Sequence, residues 1–232
     1  MLKKLPKKNM GTSNLGWLES RFHFSFAQYH NPENMNFGVL RVLNDDIIHP
    51  QSGFGTHPHK DMEIITYVIK GAITHKDSMG NSESLSRGEV QYISAGEGIT
   101  HSEYNTTDED LRVLQLWIIP PQKSLPRLYG SHRFTKEQRE DKLLKIVSSQ
   151  TSDAPIKIYQ DVSIFVSEST KDISYEIKKD MQIYLVQIEG SSLINEMVEL
   201  HHGDALEITN EKTLHVSPID KSHFLFIEMP KL

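Results

Sequence analysis

The chain has 232 residues, enough for one large domain or for two of about 115 residues each. Hydrophobic residues make up 37% and charged residues 24%, which excludes a disordered chain and a membrane-spanning one. There is no cysteine, so disulfides, zinc–thiolate sites, iron–sulfur clusters and cysteine nucleophiles are excluded. A formal net charge of −6 disfavours direct binding to nucleic acid. We expect a soluble, cytoplasmic protein without a secretory signal.

Short strand-like segments follow one another along the chain. They are rich in Val, Ile, Leu, Tyr and Phe, and turn residues separate them. The predicted strands are Asn36–Leu43, Glu63–Ile69, Val90–Ser94, Arg112–Ile119, Met181–Ile188 and His223–Glu228. Only Thr135–Val147 has a helical pattern, and a loop leading into a strand fits it equally well. So many short strands predict an all-β fold of the sandwich or barrel type.

A polar stretch in the middle divides the predicted strands into two groups. Pro120 and Pro121 end the strand Arg112–Ile119, and the residues that follow are mostly polar. Both halves repeat one pattern of Gly turns, at Gly71 and Gly88 in the first half and at Gly190 and Gly203 in the second. We therefore expect two β-barrels of similar plan. The predicted boundaries are an N-terminal barrel over residues 1–125, a linker over 126–150 and a C-terminal barrel over 151–232.

Two triplets among the twelve histidines carry candidate metal ligands. They are His57-Pro58-His59 and His101-Ser102-Glu103. In a strand, side chains at i and i+2 point to the same face, about 7 Å apart. Two such strands side by side would bring three imidazoles and one carboxylate together. That set binds Fe(II), Mn, Ni, Cu or Zn and leaves one or two coordination positions free for catalysis.

The two triplets and their surroundings resemble the pirin branch of the cupins. The first cupin motif, His-x-His followed by Glu and Gly, reads His57, His59, Glu63 and Gly71. The second motif reads Gly88, Ser94-Ala95-Gly96, His101 and Asn105. Ser94 stands where Pro is usual, and two extra residues precede His101, which is the pattern of the pirins. The segments that look like pirin sequence throughout are Arg21–Asp46, Gly53–Asn81 and Ser94–Asn105.

The resemblance implies a bicupin, in which two antiparallel jelly-roll β-barrels pack face to face and the N-terminal one holds a metal. The family's ligands fall on His57, His59, His101 and Glu103. Fe(II) is the usual ion, and Zn, Ni, Mn or Cu substitute for it. The second barrel has no His-x-His, because His201 and His202 are adjacent and would face opposite sides of a strand. We therefore predict no metal there.

Two functions follow from the resemblance. Bacterial members resemble quercetin 2,3-dioxygenases, which open a flavonol with O2 and release carbon monoxide. The implied partners are then a flavonol-like substrate and O2, with Glu103 as the catalytic base that removes the 3-hydroxyl proton. Animal pirins are iron-dependent transcriptional coregulators, so the alternative is a metal-binding regulatory protein that docks on a protein partner. A purely structural bicupin is a third interpretation. A monomer, without contact to nucleic acid or membrane, is the default.

Three residues near the motifs are assigned to structural roles. Glu63 lies an even number of residues from His57 and His59, so its side chain could face the same side of the sheet. We nevertheless expect it at the barrel wall and not on the ion. His75 lies outside both triplets and is expected to be a surface or hydrogen-bonded histidine. Trp117 is expected to pack inside the barrel.

Overall fold

The computed structural model describes residues 1–231, and its regular secondary structure is almost entirely β-strand. These residues separate into two compact units. The N-terminal unit comprises residues 11–134 and 158–160, and the C-terminal unit comprises residues 1–10, 135–157 and 161–231. Within residues 1–231, no helix is long and apolar enough to cross a membrane. The prediction of an all-β fold is confirmed.

The strands are numbered here in chain order. The first twelve are β1 Leu2–Leu5, β2 Gly11–Asn14, β3 Leu18–Phe22, β4 Leu40–Ile48, β5 Ser52–His59, β6 Glu63–Lys70, β7 Ala72–Asp77, β8 Ser82–Ser86, β9 Glu89–Ser94, β10 Ile99–Asn105, β11 Leu111–Ile118 and β12 Leu128–Arg133. After the short helix α1, Lys136–Arg139, the remaining ten are β13 Leu144–Ser149, β14 Ile156–Ile158, β15 Ser163–Ser169, β16 Ile173–Glu176, β17 Met181–Glu189, β18 Ser191–Ile194, β19 Val198–His201, β20 Ala205–Ile208, β21 Thr213–Pro218 and β22 Ser222–Pro230.

The N-terminal unit is a sandwich of two antiparallel sheets. The larger sheet has the order β12-β9-β6-β11-β4-β3-β2, and the smaller has the order β5-β10-β7-β8. One apolar cluster joins the sheets, because the larger contributes Val68, Leu111 and Val113 while the smaller contributes Ile73 and Leu85. Burial of these side chains, at about 25 cal/mol per Å² of apolar surface, holds the two sheets together.

Strand β10 shows how this sandwich positions polar side chains. Its residues alternate strictly in burial: His101, Glu103 and Asn105 point inward, whereas Thr100 and Tyr104 are exposed. Side chains alternate between the faces of a sheet, so one strand can present both an imidazole and a carboxylate to the interior. The interior of the N-terminal unit is therefore polar along this strand.

The C-terminal unit has the same plan. Its larger sheet has the order β1-β20-β17-β22-β15-β13-β14, and its smaller sheet has the order β16-β21-β18-β19. The interior is apolar, with Phe165, Leu185, Leu200, Phe224 and Phe226 in one buried cluster. Strand β1 joins this unit by pairing with β20.

The structure divides the chain at other positions than those predicted. Residues 126–150, expected to be a linker, contain β12, α1 and β13. Strand β12 pairs with β9 in the N-terminal unit, and β13 pairs with β15 in the C-terminal unit. Because β12 is an edge strand whose residues are only partly buried, it needs no strict apolar alternation and its sequence resembles a polar loop. Residues 1–10 belong to the C-terminal unit through β1.

The predicted helix over Thr135–Val147 is present only as α1. Glu140 is already extended and Asp141 has a positive φ of 52°, so the helix ends after one turn. The apolar residues that follow belong to β13 instead. The alternative of a loop leading into a strand describes most of this segment.

Candidate metal centre

Strands β5 and β10 bring the two triplets together. They pair antiparallel with His101 opposite His57 and Ile99 opposite His59. A bulge between His101 and Glu103 shifts the register, so that Glu103 pairs with Phe54. A bulge re-aims side chains locally, and here it lies between two of the predicted ligands.

Three imidazoles form a tight triangle in this part of the sheet. The ring centroids of His57, His59 and His101 are separated by 4.5–4.8 Å. One ring nitrogen from each lies within 4.8 Å of the others. The Nδ1 atom of His57 lies 2.8 Å from the carbonyl oxygen of Gly55, and a proton shared there leaves Nε2 free to bind a cation.

The environment keeps two of these imidazoles neutral. Burial, assisted by neighbouring His57, lowers the pKa of His59 to about 4. Burial, assisted by His57 and His59, lowers the pKa of His101 to about 3. A neutral imidazole keeps the lone pair that a metal needs, and a protonated one does not. The triangle therefore suits a cation at neutral pH.

Glu103 lies deeper and belongs to a second, overlapping cluster. One carboxylate oxygen of Glu103 lies within 4.8 Å of ring nitrogens of His75 and His101, and all three residues are buried. Strands β10 and β7 place Glu103 directly opposite His75. The structure thus brings the four predicted ligands together as two clusters that share His101.

Amide and hydroxyl groups of the facing sheet hold the Glu103 carboxylate. Gln115 donates to Oε2 at 2.8 Å, while Thr66 and Gln91 donate to Oε1 at 3.4 Å each. Burial raises the pKa of Glu103, and the hydrogen bond from Gln115 opposes that rise. The carboxylate is therefore fixed in position but withdrawn from water.

These three donors form a row across the larger sheet that the sequence interpretation missed. Gln115 pairs with Thr66, and Thr66 pairs with Gln91, on the neighbouring strands β11, β6 and β9. Each is a polar residue inside an otherwise apolar strand segment. Such a residue must find a buried partner, because an unsatisfied buried polar group costs about 1–3 kcal/mol. That signal could have identified the row.

The indole of Trp117 connects this row to the imidazole triangle. Its Nε1–H donates to Oε1 of Gln115 at 3.1 Å, which leaves the amide nitrogen of Gln115 to donate to Glu103. The same indole meets the ring of His59 edge-on at a centroid distance of 4.8 Å. Trp117 packs inside the unit and also orients two groups of the site.

His75 and Glu63 have the following environments. His75 is fully buried, so the expectation of a surface position does not describe it; it is a hydrogen-bonded histidine. Glu63 is buried at the wall, where Tyr92 donates to its carboxylate at 2.7 Å. The backbone N–H groups of Tyr159 and Gln160 donate to the same carboxylate at 2.6 and 2.9 Å. Glu63 therefore fixes the chain segment 158–160.

A cleft of about 540 Å³ lies beside His59. It is lined by Pro58, His59, Lys60, Ser78 and Gly98–Thr100. Its volume falls in the range of small-molecule sites, about 300–1,000 Å³.

The residues present fit a divalent metal ion. Both ring nitrogens of His101 and Nδ1 of His75 are buried without a hydrogen-bond partner. Imidazole nitrogens with a carboxylate nearby are ligands for Fe, Ni, Mn, Cu or Zn. A buried imidazole nitrogen without a hydrogen-bond partner keeps a lone pair that a cation can take. A divalent ion is therefore the ligand chemistry that this site supports.

Comparisons with known proteins agree with this geometry. A family model described as Pirin matches residues 4–118, and one described as the quercetinase C-terminal cupin domain matches residues 145–229. A quercetin 2,3-dioxygenase of Escherichia coli is 39% identical over 223 residues, 95% of each chain. A pirin-like protein of Caulobacter vibrioides is 38% identical over 231 residues, 98% of this chain and 99% of that protein.

A solved structure shows the same fold with a metal. The crystal structure of the bacterial pirin YhhW from Escherichia coli in complex with nickel(II) matches with a TM-score of 0.94 and 36% identity. The match covers 100% of both chains. Together with the full-length similarity to curated relatives, it shows that this chain is a bicupin and belongs to the pirin family.

Proposed function

We propose that the protein is a divalent-metal-dependent dioxygenase that opens a flavonol ring with O2 and releases carbon monoxide. The observation that carries the proposal is the cluster of three imidazoles, those of His57, His59 and His101, with a fixed carboxylate next to it. Relatives bear the name quercetin 2,3-dioxygenase, and a relative of the same fold binds nickel(II). We take Fe(II) as the native ion.

In this proposal His57, His59, His101 and Glu103 hold the ion. When bound, the ion supplies a Lewis acid and a template for substrate and O2. Gly55 fixes the ring of His57 and Trp117 contacts the ring of His59, so two imidazoles are oriented before any ligand arrives. Prior orientation of ligands strengthens binding, because less conformational freedom is lost on complex formation.

Glu103 is the proposed catalytic base. One carboxylate oxygen takes the proton of the acidic 3-hydroxyl, while Gln115 holds the other oxygen by its 2.8 Å hydrogen bond. Loss of that proton leaves an electron-rich flavonolate, which reacts with O2. Both oxygen atoms enter the products, and one ring carbon leaves as carbon monoxide.

The test is turnover of quercetin under air after the metal-free protein has been reloaded anaerobically with Fe(II). We expect one ion per chain, loss of the visible absorbance of quercetin and release of carbon monoxide. His59→Ala is expected to abolish turnover and to weaken ion binding at least 100-fold, because a direct ligand matters more than the outer partners, which are worth about 10–100-fold. His201→Ala, which removes an exposed histidine of the C-terminal unit, serves as the control and should behave like the wild type.

Glu103→Gln separates the roles of ligand and base. The amide keeps an oxygen near the ion but cannot take a proton, so turnover should fall about 10²–10⁴-fold while the three imidazoles still bind metal. Undiminished turnover would remove Glu103 from the base role. One ion per chain in the wild type without turnover of any flavonol would instead favour the regulatory protein that docks on a partner.

A further inference from the structure

Residues 25–35, between β3 and β4, form a closed loop that the proposed reaction does not use. The backbone N–H of Ser25 donates to the carbonyl oxygen of Asn34 at 2.9 Å, so the two ends of the loop lie side by side. The hydroxyl of Ser25 donates to the carbonyl oxygen of Asn31 and accepts from its backbone N–H, at 2.8 Å each. A compact loop of about 6–16 residues whose ends meet is an Ω-loop, a class that frequently carries function.

Arg41 on β4 holds both ends of this Ω-loop. Its Nη1 atom donates to the carbonyl oxygen of Ser25 at 2.8 Å and to that of Met35 at 3.0 Å. The side-chain amide of Asn34 adds a bond of 2.7 Å to the carbonyl oxygen of His23, just before the loop. Because a guanidinium group stays protonated in proteins, the contacts of Arg41 persist at every working pH. The loop is therefore fixed to β4.

The Ω-loop holds the aromatic ring of Phe26 in a defined place. The backbone groups of Phe26 and Tyr29 exchange two hydrogen bonds of 2.9 and 3.0 Å, which close a tight turn. Phe22 of β3 supports both rings, with centroid distances of 5.5 Å to Phe26 and 6.4 Å to Tyr29. A short turn on one side and an aromatic ring on the other leave Phe26 little freedom to move.

Phe26 contacts Trp117, the side chain that connects two groups of the metal centre. The two rings meet edge-on at a centroid distance of 5.5 Å and an angle of 88°. Trp117 in turn meets His59 edge-on at 4.8 Å and 85°, and its N–H donates to Gln115. Edge-to-face pairs favour one orientation, because the positive edge of one ring faces the negative face of the other. Phe26 therefore restricts the rotation of an indole that is only half-buried.

Simple core packing accounts poorly for Phe26. Its ring is only half-buried, whereas Phe24, two residues earlier, is 1% exposed. The next residue, Ala27, is exposed and has a positive φ of 49°, a conformation that favours glycine and is strained for other residues. The loop thus keeps a strained turn beside a ring that adds little to the core. The contact with Trp117 is the feature that this arrangement preserves.

We propose that Phe26 is a positioning residue that acts through Trp117. The Ω-loop packs its ring against the indole, and the indole keeps the orientation in which it contacts His59 and donates to Gln115. The inference rests on the proposed function in one respect, the metal centre that the indole serves. Because Phe26 itself is not assigned to the ion or the substrate, its loss should weaken the site and not abolish it. An edge-to-face ring pair is worth about 2–10-fold in an equilibrium constant, which sets the size of the effect.

The test compares Phe26→Leu with Phe26→Tyr. Both are made in a Trp17→Phe background, so that Trp117 is the only tryptophan and reports on its own surroundings. Leucine removes the ring and should shift the emission of the metal-free protein to the red. It should also weaken binding of Co(II), whose visible absorption reports ligand type and number, about 2–10-fold and lower kcat/KM for quercetin by a similar factor. Tyrosine keeps the ring and should restore all three values.

Arg41→Met tests the loop without touching the ring of Phe26. Methionine keeps an apolar stem but has no donor, so both ends of the loop are released and the same quantities should change in the same direction. The matched control is Phe165→Leu, the same replacement in the buried core of the C-terminal unit, where the ring stacks on Phe226. It should lower the melting temperature but keep the tryptophan emission and the Co(II) affinity.

A double-mutant cycle separates positioning from a general loss of packing. In Trp117→Leu the side chain through which Phe26 acts is gone. Adding Phe26→Leu to that variant should therefore change the Co(II) affinity by less than about twofold. Circular dichroism establishes that each variant is folded, and Trp117→Met replaces Trp117→Leu if the latter is not.

Four outcomes decide the matter. Wild-type emission and Co(II) affinity in folded Phe26→Leu overturn this inference alone, whether or not quercetin is consumed. An equal loss of affinity with and without the indole of Trp117 also overturns it, because Phe26 then acts through general packing. A loss that requires Trp117 and that Phe26→Tyr restores supports the inference, even when the wild type consumes no flavonol. A wild type that binds no ion overturns the proposed function together with this inference.

Discussion

At the scale of single residues, the arrangement around Glu103 explains how a carboxylate can be buried next to three histidines. Its two oxygens accept from Gln115, Thr66 and Gln91, all on the facing sheet. Hydrogen bonds to a charged group are worth about 1.5–3 kcal/mol each when buried, which offsets part of the cost of removing the charge from water. The shortest of the three comes from Gln115, whose amide Trp117 orients. Gln115 is therefore the residue through which the position of Glu103 can be tested.

Gln115→Leu should weaken binding of the ion and turnover of quercetin together, by about 10–100-fold. The apolar side chain removes the 2.8 Å hydrogen bond and leaves Oε2 of Glu103 without its main donor. Co(II) titration and kcat/KM for quercetin measure the two effects. Trp117→Phe is the milder control, because it keeps a ring against His59 and loses only the N–H that orients the amide. Wild-type values for both quantities in Gln115→Leu would contradict a positioning role.

Asp46 on β4 is another buried carboxylate, and we expect it to make the free energy of unfolding depend on pH. Burial raises its pKa to about 7, against a hydrogen bond from Ser20 that lowers it, and Oδ1 has no partner. The unfolded chain has the ordinary value of about 3.9. Between these two values the folded state holds the extra proton, so the free energy of unfolding falls as the pH rises from about 4 to 7.

Asp46→Asn should remove this fall in the free energy of unfolding, because an amide has the shape of the neutral acid and no charge to bury. We expect the variant to gain a few kcal/mol in free energy of unfolding at pH 8 relative to the wild type, with little difference at pH 4. Urea unfolding at several pH values measures it. The difference between the two proteins isolates Asp46 from other groups, including buried His23, whose pKa burial lowers to about 4 and which acts in the opposite direction. A gain that is the same at pH 4 and pH 8 would show that ionisation of Asp46 is not its cause.

At the scale of elements, the metal site depends on the close approach of β5 and β10. The backbone of Gly53 lies against the carbonyl oxygen of Glu103 and the Cα atom of Tyr104. A Cβ atom on Gly53 would lie 2.6 Å from that Cα, closer than real Cβ atoms come to backbone. Gly55, two residues further along the same strand, has open space at its Cβ position. The two glycines form a matched pair for testing the approach of the strands.

Gly53→Ala should separate β5 from β10 next to the bulge, destabilise the protein by about 1–3 kcal/mol and weaken metal binding. Gly55→Ala should leave both quantities near their wild-type values, because its methyl group meets nothing and its carbonyl group still accepts from His57. Melting temperature and Co(II) affinity are the measurements. Equal behaviour of the two variants would show that the strand separation at Gly53 does not control the site.

Strand periodicity predicted the elements with regular patterns and failed where burial was irregular. Strand β10 alternates in burial residue by residue, so the i, i+2 argument correctly placed His101 and Glu103 on one face. The edge strand β12 is only partly buried and mostly polar, and no pattern in its sequence separates it from a loop. The sequence left open whether His75 is a surface or a hydrogen-bonded histidine, because its burial depends on β7 pairing beside β10, a contact between strands that local spacing does not encode. The row Gln91, Thr66 and Gln115 likewise comes from three strands brought together by the sheet.

At the scale of the whole molecule, the two units share a sheet plan but differ in their interiors. Both histidine clusters found in residues 1–231 lie in the N-terminal unit. Both tryptophans of the chain, Trp17 and Trp117, lie there as well. Tryptophan fluorescence therefore reports on the unit that carries the candidate site, and an ion that binds this unit should be visible in its unfolding.

Metal binding should raise the unfolding temperature detected by tryptophan fluorescence. An ion that binds the folded state alone stabilises it by about 2.7 kcal/mol at a concentration 100 times its Kd. For a unit of this size that corresponds to a shift on the order of 5–10 °C. Zn(II), added to protein treated with a chelator, is the probe, and Ca(II) is the matched control, because it prefers six to eight oxygen ligands and finds mainly imidazoles here. His59→Ala should reduce the Zn(II) shift, since it removes one nitrogen from the triangle. An equal shift with both ions, or none with Zn(II), would contradict a site built from these histidines.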